Sequence, residues 1–170
     1  VQLMTPIIKA FLTDLGFDNA NRGVQIYGGH GYIREHGMEQ YVRDARITQL
    51  YEGTNGIQAM DLVGRKLSAG MGRLLRRFFH PADAYIAAKK SDPALKEFIG
   101  PFAKAFQRLQ QATAGLAQKA MANPDEAGAA ASPYLRMFAL VALAFMWAKM
   151  AEVATAKIAA GEDVDFHQRK

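Results

Sequence analysis

The spacing of apolar residues predicts a chain that is helical almost throughout. The first stripe recurs every three or four positions and comprises Ile7, Ile8, Phe11, Leu12, Leu15 and Phe17. Thr5-Pro6 precedes it, and a capping side chain followed by proline at the first helical position is typical of a helix start. The pattern therefore predicts a helix from Pro6 to the glycine pair Gly28-Gly29, where glycine favours a stop.

The middle of the chain alternates glycine-rich turns with short helices. Residues 28–37 contain four glycines and are predicted to form a loop. A short helix is expected over residues 39–46, an extended segment over residues 47–51, and a further helix from a Thr54 cap to Leu67. The next helix is predicted over residues 71–88, and Pro81 is expected to break or kink it.

The second half shows the longest helical pattern. Asp92-Pro93 repeats the start signal, and the apolar positions after it alternate steps of four and three: Leu95, Ile99, Phe102, Phe106, Leu109, Thr113, Leu116 and Ala120. Such a seam packs against a neighbouring helix. Gly100-Pro101 is expected to bend or briefly interrupt this helix. Residues 123–132 are predicted to be a linker, followed by a last helix from Ser132-Pro133 to Ala160 and a polar, irregular tail over residues 162–170.

These elements predict an all-α protein. Residues 1–90 are expected to form a helical bundle domain that is incomplete at its N-terminus, and residues 91–170 an additional C-terminal helical hairpin. The 170 residues suffice for a real core. Because the chain starts at Val1 without an initiator methionine, we expect it to be a piece of a longer protein.

Charge and composition exclude several classes of function. The net charge is only +5, and the one basic cluster, Arg73, Arg76 and Arg77, is less dense than a nucleic-acid binder requires. No cysteine is present, and the four histidines have no metal-ligand spacing, so no metal site is predicted. The apolar run over residues 137–148 is too short to span a bilayer. A membrane-surface helix over residues 133–149 is a weaker alternative than a buried helix, because its apolar residues go nearly all round.

The sequence Tyr51-Glu52-Gly53-Thr54-Asn55-Gly56-Ile57-Gln58 places one carboxylate on a tight turn before a helix start. Free N–H groups at a helix start favour a negative charge. A carboxylate flanked by Leu50 and Tyr51 can lose its water when a substrate covers it, which raises its basicity. Two interpretations stay open at this point: Glu52 is a catalytic base, or it is an acid that only favours the helix dipole.

A second motif, Gln25-Ile26-Tyr27-Gly28-Gly29-His30-Gly31-Tyr32, lies about twenty residues upstream. Its glycines allow the backbone to approach a phosphate group closely, or they simply end a helix. The Gln25 amide, on the last helical turn, could bond a cofactor edge or face solvent. The motif follows a predicted helix, so it lacks the strand-turn-helix context that defines a dinucleotide-binding fingerprint.

Taken with Tyr41-Val42-Arg43-Asp44-Ala45-Arg46-Ile47 between them, the two motifs resemble the C-terminal helical domain of acyl-CoA dehydrogenases. The resemblance runs from about Pro6 to Lys66. The sequence around Glu52 is most similar to the longer dehydrogenases of the 3-methylmercaptopropionyl-CoA dehydrogenase type, which carry an extra helical C-terminal region. The helices after residue 90 would be that region.

The resemblance implies a role for each matching residue. Glu52 would remove the α-proton of an acyl-CoA thioester, and its N–H, with a flavin ribityl hydroxyl, would hold the thioester oxygen. Tyr51 and Gly53 would line the acyl site. Gln25, Gly28 and Gly29 would contact the adenosine-diphosphate portion of FAD across a subunit interface. Thr54 would contact the flavin cofactor near the helix start.

The resemblance also implies partners. They are an acyl-CoA substrate, an electron-transfer flavoprotein, and further copies of the chain in a dimer or tetramer. The bacterial cytoplasm is favoured over the mitochondrial matrix. Because the β domain of such enzymes is absent, the isolated chain is expected to bind FAD poorly and to be inactive. The alternative is a helical oligomerisation or binding module without chemistry of its own.

Overall fold

The computed structural model describes residues 1–169, and every element in that range is helical. The elements are α1 (Met4–Tyr27), α2 (Gly29–Tyr32), a 3-10 turn (Arg34–His36), α3 (Met38–Thr48), α4 (Asn55–Asp61), a π-helical turn (Leu62–Lys66), α5 (Ala69–Lys89), α6 (Lys96–Ala122), α7 (Pro124–Ala159) and α8 (Val164–Gln168). The predicted all-α fold is confirmed.

Helices α6 and α7 form the predicted hairpin. Phe102 stacks on Phe145 with ring centroids 5.4 Å apart, and Thr113 lies within hydrogen-bond distance of Tyr134. Moving forward along α6 therefore moves backward along α7, so the two helices are antiparallel. The seam on α6 is buried as predicted, from Leu95 to Thr113.

Aromatic side chains fill the centre of the core. Phe138 is fully buried and contacts Phe78 and Phe79 of α5, while Phe79 also meets Phe106 of α6 edge to face. Helix α1 adds its first turns to the same cluster through Ile7. One continuous core thus joins both halves of the chain, and the predicted domain boundary at residue 90 stays a prediction.

The predicted linker over residues 123–132 is wrong, because α7 begins at Pro124. Asn123 is the N-cap: its Oδ1 accepts a hydrogen bond from Asp125 N at 3.1 Å. Asp125 and Glu126 lie in the first turn, where acids favour the helix dipole. Alanine is the strongest helix former, so the alanine-rich stretch extends the helix instead of interrupting it.

Three prolines lie inside helices without breaking them. The predicted interruption at Gly100-Pro101 is wrong, since α6 is continuous from Lys96 to Ala122, and the bend stays a prediction. Pro81 and Pro133 are likewise accommodated within α5 and α7. A proline removes one helical hydrogen bond, but the residues beside these prolines are buried in the core. Their burial holds each helix together across the missing bond.

Several boundaries in the first half also differ from the prediction. Helix α1 begins at Met4, and Thr5 Oγ1 donates to Val1 O instead of capping. Residues 28–37 are two short helical turns, not an open loop, and residues 47–51 end α3 in a turn instead of extending. Asp92 Oδ1 accepts from Ala94 N, but α6 starts only at Lys96. In the tail α8 forms at Val164–Gln168, and Lys170 lies outside the described residues.

Helix α7 is long and apolar enough to cross a membrane by length and composition, and 33% of its most apolar window is buried. One face packs in the core through Phe138, Val141 and Phe145. The opposite face leaves Leu140 and Trp147 exposed. The predicted burial of this helix is therefore confirmed for one face only, and its lack of membrane contact stays a prediction.

Candidate functional site

The turn that carries Glu52 connects α3 to α4 and is left-handed. Glu52 has φ 55° and Gly53 has φ 85°. A positive φ is unfavourable for a residue with a side chain, so other contacts must hold it. Two side chains do so: Gln58 Nε2 donates to Glu52 O at 2.8 Å, and Lys9 Nζ donates to Gly53 O at 2.7 Å.

Asn55, at the start of α4, attaches this turn to α1. Its Oδ1 accepts from Lys9 Nζ at 2.8 Å, and its Nδ2 donates to Ala10 O at 3.1 Å and to Asp14 Oδ1 at 2.7 Å. Gln49 Nε2 donates to the same Asp14 oxygen at 2.7 Å from the other side of the turn. The backbone around Glu52 is therefore fixed against a long helix, which is what a positioned catalytic group needs.

The Glu52 carboxylate faces solvent and forms no ion pair or hydrogen bond with residues 1–169. The Glu52 and Gly53 N–H groups also lack a backbone acceptor among those residues. Thr54 occupies the N-cap position of α4, but its side chain makes no capping bond, contrary to the predicted cap. The turn thus presents one acid and unused N–H donors on the same few residues.

Apolar side chains surround this acid on the protein surface. Tyr51 and Leu50 precede it, Ile57 follows on α4, and all three are exposed. An exposed apolar cluster of this kind marks a surface that is covered by another group. A group seated there would remove water from the Glu52 carboxylate.

The glycine motif lies at the other end of α1. The helix ends at Tyr27, Gly28 has φ 60° and ψ −141°, and Gly28 N donates to Gln25 O at 3.1 Å. A Cβ placed on Gly28 or Gly29 would meet nothing within 4 Å, so this backbone is open to close approach. The Gln25 side chain is exposed beside it.

The structure does not bring the two motifs together. Asn55 contacts α1 at Thr13, twelve residues before Gln25, which corresponds to about 18 Å along the helix. The Glu52 turn and the Gly28-Gly29 backbone are therefore separate surfaces. The turn contacts the middle of α1, and the two glycines follow its C-terminal end. The glycine motif of the same copy therefore does not contact the Glu52 turn.

Sequence reasoning missed the residues that position the turn. Asn55 and Gln58 lie in the sequence Tyr51–Gln58, and an amide side chain at each of these positions could have indicated hydrogen bonds to the turn or to a neighbouring helix. No local sequence pattern indicated Lys9, because it reaches the turn from 44 positions away. On the exposed glycine segment His36 Nε2 lies 3.2 Å from His30 Nδ1. Residues 1–169 contain no group of three metal-ligating side chains.

Comparison with known proteins places the chain in a family. Residues 2–67 match the family described as "Acyl-CoA dehydrogenase, C-terminal domain", and residues 78–170 match "Acetyl-CoA dehydrogenase C-terminal like". The chain therefore belongs to the acyl-CoA dehydrogenase family and represents its C-terminal helical region.

Individual relatives agree with this assignment. The 3-methylmercaptopropionyl-CoA dehydrogenase of Ruegeria pomeroyi is 37% identical over 99% of this chain and 29% of its own length. The broad-specificity linear acyl-CoA dehydrogenase FadE5 of Mycobacterium tuberculosis is 27% identical over the same shares. An acyl-CoA dehydrogenase of Bacillus subtilis is 44% identical over 36% of this chain and 16% of its own length. The chain thus spans less than a third of the length of these relatives.

Proposed function

We propose that this chain supplies the catalytic base of a FAD-dependent acyl-CoA dehydrogenase, which converts an acyl-CoA thioester to a 2-enoyl-CoA. The observation that supports this proposal is the turn at residues 51–54. It holds the Glu52 carboxylate and unused N–H donors together on a backbone fixed to α1. A structural acid would not need a left-handed backbone or four supporting side chains.

In the proposed reaction Glu52 removes the proton from the carbon next to the thioester carbonyl. The Glu52 N–H donates to the carbonyl oxygen, where negative charge develops. Such a donor is worth a few kcal/mol when it is aimed at the developing charge. Tyr51 and Gly53 line the acyl site, and the apolar cluster around them keeps water from the carboxylate once the thioester is bound.

The residues of the glycine motif fit a phosphate-bearing cofactor. The backbone at Gly28 and Gly29 has no neighbouring atom where a Cβ would lie, so a pyrophosphate can approach it, and the exposed Gln25 amide can bond an adjoining edge. Thr54 has a free hydroxyl at the start of α4, within the same turn as the base. When bound, FAD supplies the acceptor for the β-hydrogen.

Because Gln25 lies about 18 Å along α1 from the Thr13 contact that holds the Glu52 turn, we propose that each FAD is shared by two copies of the chain. Exposed apolar residues on α1 and α7, such as Leu12 and Trp147, would be covered in that dimer or tetramer. Electrons would leave to an electron-transfer flavoprotein. The bacterial relatives favour the bacterial cytoplasm as the location.

The test is a chimera in which this chain replaces the matching 29% of the Ruegeria pomeroyi relative. Glu52→Gln keeps the size of the side chain but removes the base, so the dehydrogenation rate should fall by about 100-fold or more. FAD content and thermal unfolding should stay unchanged. The matched control is Glu97→Gln, an exposed acid on α6. Full activity of Glu52→Gln would contradict the assignment.

A second candidate function is a helical oligomerisation module without chemistry. The exposed apolar residues on α1 and α7 favour it, since they would also pair copies of an inactive chain. Two measurements on the purified chain test its self-association and its flavin binding separately. We expect self-association in sedimentation velocity and no stoichiometric flavin absorbance. A yellow, monomeric chain would contradict both expectations.

A further inference from the structure

The start of α5 contains an unusual backbone segment outside the site described above. Gly70, Met71 and Gly72 all have left-handed φ and ψ, with φ of 58°, 53° and 76°. Met71 is the only non-glycine of the three, and its side chain is 90% exposed. Arg76 Nη1 donates to Met71 O at 2.7 Å and stabilises the turn. Helical geometry then resumes at Arg73.

Two further arginines follow this turn on the same face of α5. Arg73 and Arg77 are four residues apart, and both line a cavity of about 470 Å³. The first four residues of the chain form the opposite wall, and Leu74 and Phe78 form an apolar floor. Neither arginine side chain forms an ion pair or hydrogen bond with any residue in the range 1–169.

The charge around this cavity is unbalanced. Between Asp61 and Asp83 the chain contains no acid but five basic residues, Arg65, Lys66, Arg73, Arg76 and Arg77. Arg65 and Lys66 are paired with Asp61, and Arg76 is used by the turn. The two arginines that remain without partners are the two that line the cavity.

This arrangement is unfavourable for the protein alone. Like charges four residues apart on a helix repel each other, and cations near the N-terminal end of a helix oppose its dipole. An anion between the two guanidinium groups would reverse both effects. Guanidinium groups also match the geometry of phosphate oxygens, which they bind through paired hydrogen bonds.

We propose that Arg73 and Arg77 form a binding site for a phosphate monoester that carries an apolar or aromatic group. The phosphate lies between the two guanidinium groups, and the apolar part covers Leu74 and Phe78. The cavity is larger than a phosphate alone requires, which favours an organic ester over the inorganic ion. This site is separate from the Glu52 turn and does not depend on the proposed dehydrogenase role.

The test uses isothermal titration calorimetry on the 170-residue chain with phenyl phosphate, inorganic phosphate and benzyl alcohol as probes. We expect saturable binding of phenyl phosphate, weaker binding of inorganic phosphate and none of benzyl alcohol. Arg73→Gln/Arg77→Gln should lower the affinity for phenyl phosphate by about tenfold or more, because two charge-assisted contacts are lost. Arg108→Gln removes one exposed charge from α6 and should leave the affinity unchanged.

Co-sedimentation with phosphatidylcholine vesicles, with and without phosphatidic acid, whose headgroup is a phosphate monoester, distinguishes a lipid from a soluble ester. Arginine-dependent binding to the anionic vesicles alone would support the phosphate-ester site with a lipid as its source. Equal affinity of the double variant and the parent, or no binding to any phosphate probe, would overturn the proposal. So would a double variant that is less stable than the parent in phosphate-free buffer, since removing repulsion should not destabilise the chain.

Discussion

Replacing Asn55 by alanine tests whether the Glu52 turn is held from the side, as the structure indicates, or by a helix cap, as the sequence suggests. The Asn55 amide joins α4 to α1 through Lys9, Ala10 and Asp14. Alanine removes all of these bonds but is itself a good helix former. The change therefore isolates the anchoring contacts from the propensity of the helix.

The magnitude follows from the four partners of Asn55 on α1. A hydrogen bond between neutral groups contributes about 1 kcal/mol net, and one to a charged group contributes about 1.5–3 kcal/mol. The two neutral partners are Ala10 O and Thr13 Oγ1, and the two charged partners are Lys9 and Asp14; the two Nδ2 protons are shared among Ala10, Thr13 and Asp14. Because Asp14 is exposed and its bond is weakened by water, we expect a loss of about 2–4 kcal/mol. At a urea dependence of about 2 kcal/mol/M, the unfolding midpoint should fall by about 1–2 M.

The assay is urea unfolding of the purified chain followed by circular dichroism. The matched control is Thr54→Ala, one residue earlier. A true N-cap would lose about 1 kcal/mol, but Thr54 makes no capping bond, so its change should stay within about 0.5 kcal/mol. If Thr54→Ala were as destabilising as Asn55→Ala, the turn would be held by capping and our account of the site would be wrong.

Three further changes test other contacts. Thr113→Val should lower the free energy of unfolding by about 1–3 kcal/mol, because it removes the partner of the buried Tyr134 hydroxyl; an unchanged urea midpoint would contradict this. Gly31→Ala should lower the melting temperature, since a Cβ there would lie 2.5 Å from Val24 O; Gly16→Ala, in open space, is the control. Burial raises the pKa of Tyr134 to about 12 from 10.0. The folded chain then keeps a proton that the unfolded chain loses, so stability should fall by about 2 kcal/mol from pH 10 to 12. Tyr134→Phe should reduce that fall, and an identical pH profile would refute the assignment.

The sequence predicted the helices well where their apolar periodicity was long. The seam from Leu95 to Thr113 is the clearest case, because six positions agreed on one face and all six are buried. Prediction failed where a single residue type was given too much weight. Gly100-Pro101 and Pro133 suggested breaks, but a proline removes one bond, whereas the buried side chains around it contribute many contacts. Residues 123–132 were predicted to be a linker because of their glycine, proline and acidic residues. The high helix propensity of their alanines was given too little weight.

The sequence predicted the chemical groups of the candidate site but not the side chains that hold its backbone in place. Glu52 and the glycine motif follow from local sequence, because turns and helix starts are local features. Lys9 reaches Gly53 across 44 positions, and no local pattern indicates a lysine that bonds a distant carbonyl. The separation of Gln25 from the Glu52 turn was equally hidden, since it depends on Asn55 attaching to α1 at Thr13 and not on either motif.

That separation constrains how the protein can work. A compact group cannot contact both motifs on one copy of the chain, because about 18 Å of helix lies between Gln25 and the residues that hold Asn55. Either the two motifs belong to different sites, or two copies face each other so that the glycine motif of one lies beside the Glu52 turn of the other. In the second case any change that separates the copies would abolish cofactor binding while leaving the turn intact. Oligomerisation would then be part of the catalytic site, and the two candidate functions would describe one assembly.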